Sequence, residues 1–94
     1  MRTITHVYKP KDGKMIRVIL ALDNGKISKV VFAGDFFIDP PEKIKELENT
    51  LNGKGIEEAL HLIETLLGEK VNLIGCSIED FKKALHEAYT KSRA

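Results

Sequence analysis

Hydrophobic and polar positions change rhythm part-way along the chain, and the change divides it into two kinds of element. Thr3 to Tyr8 is rich in β-branched and aromatic residues and ends before Pro10, with Lys11-Asp12-Gly13-Lys14 supplying turn chemistry, so a first strand is expected there. Met15 to Leu22 is nearly continuous in apolar side chains. Asp23-Asn24-Gly25-Lys26 follows, and Asn-Gly is the pair that most easily accepts the positive φ angles of a tight hairpin. Ile27 to Ala33 then returns as a third strand. A regular two-residue turn sets Leu22 opposite Ile27, Val18 opposite Val31 and Ile16 opposite Ala33 on one apolar face. Arg17, Ile19, Val30 and Phe32 fall on the other, a mixed surface large enough for a contact. Leu20 opposite Lys29 is the mismatch in this register, and a β-bulge would repair it.

Beyond Ile38 the period becomes helical. Asp39-Pro40-Pro41-Glu42 combines an N-cap acid, proline at the first helical position and a glutamate three residues after the cap, which starts a helix with Ile44, Leu47 and Leu51 as its buried stripe. Asn52-Gly53 stops it. A second helix is expected from Ile56 to Leu67, with Ile56, Ala59, Leu60, Ile63 and Leu67 facing inward, and Gly68 ends it. Val71 to Gly75 is a short apolar link with extended character. Ser77 followed by Asp80 caps a last helix whose inner stripe is Ile78, Phe81, Leu85 and Ala88. Strands first and helices second make an α+β domain: a three-stranded antiparallel meander followed by three helices packed on one face of the sheet.

Length narrows the reading further. Ninety-four residues form one domain, 1–94, and a chain this short leaves little room for a deep substrate cavity. Fifteen Lys and Arg against 14 Asp and Glu give a net charge of +1, which argues against a general nucleic-acid binder. The charge is uneven: residues 1–38 carry seven basic and three acidic groups, residues 39–94 carry eight and eleven, so a basic front meets an acidic back. The longest apolar runs are too short for a membrane span, and Met1 to Lys11 lacks a signal-peptide core, which points to a cytoplasmic protein. The high charged fraction with no Gln or Trp leans toward a thermophilic source.

Most mechanism-bearing patterns are missing. There is no phosphate-binding loop, dinucleotide fingerprint, paired-cysteine motif or His-Glu-x-x-His, and His6, His61 and His86 fall on different elements, so no catalytic or metal-ligating residue is assigned. Asn52-Gly53-Lys54-Gly55, ahead of a helix N-terminus, reads either as an anion site or as a plain connector. Cys76, just before the Ser77 cap, reads either as a thiolate activated by the helix or as a small buried hydrophobe. The most informative segment is Gly34-Asp35-Phe36-Phe37, which leaves the third strand and carries two of the four Phe. Adjacent side chains in extended chain point oppositely, so one ring is a candidate surface anchor unless both are tucked away. Asp35 is either a turn former or a polar contact.

The Met15-Ile16-Arg17-Val18 strand, the Asn24-Gly25-Lys26-Ile27 hairpin, the Gly34-Asp35-Phe36-Phe37 loop and the Glu42-to-Leu51 helix ending in Asn52-Gly53 occur in an order similar to the C-terminal accessory domain of lipoate-protein ligases, over roughly residues 5–90. A free-standing version resembles the small subunit of split, archaeal-type ligases. That resemblance implies a heterodimer with a large catalytic subunit, which carries the adenylate-binding residues and catalytic lysine. The complex would use ATP, with magnesium, to activate lipoate to lipoyl-AMP before transfer to a lysine of an acceptor lipoyl domain. It implies no cofactor bound by this chain alone, and only indirect dealings with the acceptor. Gly34, Asp35, Phe36, Phe37 and Arg17 are the expected partner or ligand contacts. A second reading comes from the similar architecture of iron-sulfur assembly proteins: a single-cysteine sulfur acceptor using Cys76, since a cluster scaffold needs more thiolates than one. A generic protein-binding module is the third.

Overall fold

The computed structural model describes residues 2–93. Strands β1 (Arg2–Tyr8), β2 (Ile16–Asp23) and β3 (Lys26–Gly34) form an antiparallel sheet in sequence order. Then come β4 (Phe37–Asp39), α1 (Glu42–Leu51), α2 (Ile56–Leu67), β5 (Asn72–Ile74) and α3 (Ile78–Arg93), with β4 and β5 paired as a separate antiparallel ribbon. The α+β meander and its three helices on one sheet face are therefore present. The ribbon is an addition, built from the extended link after α2.

At the β2–β3 hairpin Asn24 and Gly25 take φ of 53° and 78°, the geometry the Asn-Gly pair favours. Leu22 pairs with Ile27, and the register then shifts between Ala21 and Leu22, so that Ala21 faces Lys29 and Leu20 faces Val30. Ser28 is the extra residue, with its hydroxyl donating to the Ala21 carbonyl at 3.1 Å. The bulge repairs the mismatch, and it also inverts every side chain after it. Val30 and Phe32, expected on the outer face, are buried in the core, while Val31 and Ala33 take the outer positions opposite Ile19 and Arg17.

The core lies between the sheet and the helices. Ile16, Val18 and Leu20 of β2, Phe32 of β3, Leu47 and Leu51 of α1, Ile63 of α2 and Phe81 and Leu85 of α3 make one buried cluster. Helix α3 packs on β1 and β2, α1 on β3, and α2 between its two neighbours. Polar ties fix the layer: His6 Nε2 lies 2.8 Å from Glu87 Oε1, Lys91 donates to the Thr5 carbonyl, and Lys82 bridges to Glu64 at 3.0 Å.

Helix ends explain two local outcomes. Ser77 and Asp80 form the expected capping box, with Asp80 N–H donating to Ser77 Oγ and Ser77 N–H to the Asp80 carboxylate at 2.9 Å. Asp39, expected to cap α1, instead ends β4, and α1 begins after Pro41 without a side-chain cap. Its extended backbone is paired with Asn72, which sets it apart from the helix start.

Candidate partner-docking site

The Gly34-to-Phe37 segment is shaped by one close approach. Gly34 has φ of +151°, and a Cβ there would collide with the Met15 carbonyl, so only glycine fits. Asp35 N–H donates to the same carbonyl at 3.1 Å, which turns the chain off the sheet and leaves the Asp35 side chain exposed. The two rings then part. Phe36 turns inward, its ring edge-on to Phe81 at 5.0 Å, and Phe81 also meets Phe32 at 5.4 Å. Phe37 points out and is 71% exposed.

Pairing with β5 gives Phe37 a companion that sequence patterning did not identify. Ile74 lies directly opposite it and is 57% exposed, while the next pair, Ile38 and Leu73, packs against the core. Phe37 and Ile74 thus share one face of the ribbon, an apolar knob held from beneath by Ile38, Leu73 and Phe36. Three residues offer no measurable periodicity, so the sole available signal was the extended character of Val71 to Gly75. Arg17 stands on the outer sheet face opposite Ala33, one residue before Gly34. The predicted contact residues therefore gather at one end of the sheet, except that Phe36 faces the interior.

Cys76 sits elsewhere, half-buried in a hollow of about 480 Å³ lined also by Tyr8, Lys11, Ser77 and Asp80. Burial, aided by the Asp80 carboxylate, pushes its thiol up to about 11. Ser77 and Asp80 have taken the helix end for themselves, so Cys76 gains no activation from it. The sulfur-acceptor reading loses its thiolate. The Asn52-to-Gly55 connector is likewise committed, with Gly53 N–H donating to the Ile27 carbonyl and Ile27 N–H to that of Lys54. It seals the start of β3, and Glu48 covers the Phe32 N–H further along the same edge. Among the described residues no group of three or more His, Cys, Asp or Glu is placed to hold a metal ion, and no helix is long and apolar enough to cross a membrane.

Comparison with known proteins decides the family. The model for the C-terminus of bacterial lipoate-protein ligase matches residues 12–85, which spans the hairpin, the Gly34-to-Phe37 segment and most of α3. The chain belongs to the lipoate-protein ligase C-terminal family. Within that family it is similar to lipoate-protein ligase A subunit 2 of Thermoplasma acidophilum, 38% identical over 78 residues that cover 83% of this chain and 82% of the relative. Its fold is also similar to a chain in the structure of a bi-partite lipoate-protein ligase and its E2 lipoyl domain from the same archaeon. That match has a TM-score of 0.81 at 36% identity, and covers 89% of this chain and 94% of the other. The matched span includes both strands of the β4–β5 ribbon.

Proposed function

We propose that this chain is the accessory subunit of a two-chain lipoate-protein ligase. With a large catalytic subunit it forms a complex that joins the lipoate carboxylate to the AMP moiety of ATP, releasing pyrophosphate, and then passes the lipoyl group to a lysine of an acceptor lipoyl domain. The observation that carries this reading is similarity over 83% of its length to a protein of comparable size named as subunit 2 of such a ligase. Lipoate and Mg-ATP are substrates of the complex, and this chain supplies no reacting group.

Its contribution is physical. A subunit that closes over an adenylation site excludes water, and exclusion of water strengthens the field that fixed donors exert on the phosphates. Docking runs through the Gly34-to-Phe37 end of the sheet: Phe37 is the anchor, Asp35 and Arg17 orient it, and Phe36 holds the segment down. An exposed ring seated in a partner's pocket contributes about 2 kcal/mol or more. The test is adenylate formation by the large subunit with lipoate and Mg-ATP, with and without this chain. Acceleration on addition supports the proposal, and an unchanged rate refutes it.

A further inference from the structure

The outer face of the three-stranded sheet is turned away from all the helices, and its side chains form three cross-strand rows: Val7, Arg17 and Ala33; Thr5, Ile19 and Val31; Thr3, Ala21 and Lys29. An antiparallel sheet with one packed face ordinarily shows polar side chains on the other. Five of these nine are apolar: Ala21 is covered by its neighbours, Ile19 and Val31 adjoin half-buried at the centre, Ala33 is exposed and Val7 is 52% exposed. The only charges in the grid are Arg17 and Lys29, which have no carboxylate partner among the described residues. The bulge at Ser28 creates this arrangement, because without it Val31 and Ala33 would point into the core.

We infer that this face is a second contact with the large catalytic subunit, and that it receives a surface apolar at its centre with carboxylates over Arg17 and Lys29. The inference rests on the accessory-subunit reading. Charge complementarity selects the occupant. A second copy of the chain would bring an equally acid-free face, leaving the cations of both copies without counter-charge. By strand spacing the grid covers on the order of 300 Å², well short of the ~800 Å² per partner of a stable dimer, so it serves as part of a larger interface. A nucleic acid or lipid surface would call for a run of cations over phosphates, where this face has an apolar Ile19–Val31 centre.

Association of the full chain with the large ligase subunit of the same organism, followed by stopped flow at 50 and 500 mM NaCl, tests this. Lys29→Glu, at the hairpin end of the face and outside the Gly34-to-Phe37 site, slows association at least ~3-fold at low salt, and the deficit shrinks at high salt as the screening length shortens. Lys83→Glu makes the same charge change on α3 and leaves the rate within about 1.5-fold, since steering acts locally at the docking face. Both residues are exposed, so circular dichroism should report unchanged folding. Equal slowing by both variants, or none by Lys29→Glu, overturns the assignment. So does sedimentation of the free chain as a dimer that Lys29→Glu disrupts. Failure of the wild-type chain to bind or accelerate the large subunit instead sinks the accessory reading, and this inference with it.

Discussion

Phe81→Ala removes the ring on which the ribbon rests. Phe81 is fully buried on α3, and its ring is the shared partner of Phe32 from the sheet and Phe36 from the turn that leads to β4. Truncating a fully buried Phe costs about 3–5 kcal/mol through lost transfer energy and the cavity left behind. Each edge-to-face pair adds about 0.5–1.5 kcal/mol beyond area burial, and two are lost here, which favours the upper half of that range. Total stability for a domain of this size is about 5–14 kcal/mol, so the variant keeps a fold but with a narrow margin. At a urea slope of ~1.5 kcal/mol/M the midpoint falls by about 3 M. Phe36→Ala, at a half-buried position with one ring contact, costs less. The double variant then shows coupling of about 0.5–1.5 kcal/mol between the two positions. A single-variant loss below about 1.5 kcal/mol, or strict additivity with Phe36→Ala, would refute the claim that Phe81 pins the ribbon to the core.

Four further outcomes follow from particular positions. Phe37→Ala changes stability by no more than ~0.5 kcal/mol, because the ring is in water, yet weakens binding to the large subunit at least ~30-fold by titration calorimetry. Gly34→Ala destabilises by more than ~1 kcal/mol in urea, since it faces both a left-side φ and the Met15 carbonyl. Cys76 in the native protein reacts slowly with iodoacetamide at pH 8 and accelerates as pH rises toward about 11. The sign of its linkage is set by the raised value: an unfolded thiol ionises near 9.0 while the folded one stays protonated to about 11. Stability is therefore full below pH 9 and declines across that window, a slope that Cys76→Ser flattens in thermal melts.

Local chemistry was readable residue by residue where one short motif decides the backbone. Asn24-Gly25 set the hairpin, Ser77 and Asp80 capped α3, and the apolar spacing from Ile56 to Leu67 matched α2 end to end. Long-range pairing was not readable in the same way. The Leu20–Lys29 conflict signalled that a bulge was needed, but nothing in the sequence located it at Ser28, and a shift of one residue moved Val30 and Phe32 across the sheet. The β4–β5 ribbon joins three-residue strands far apart in the chain, so the Phe37–Ile74 knob depends on tertiary packing. Asp39 carried a valid capping signal that this pairing overrode. For the site, backbone alternation offered the split between an inward and an outward Phe as one of two readings beside both rings being tucked away, and which ring went inward was decided by Phe81. The function itself was legible only through resemblance, because the chain holds no reaction motif of its own.

An accessory chain of this kind acts by completing another subunit. Single-turnover formation of lipoyl-AMP by the large ligase subunit, with lipoate and Mg-ATP, measures it directly. Adding the wild-type chain should raise the rate saturably, Phe37→Ala should shift the saturation to higher concentration, and the chain alone should form no adenylate. A rate indifferent to the chain, or adenylate made by the chain without its partner, would contradict it.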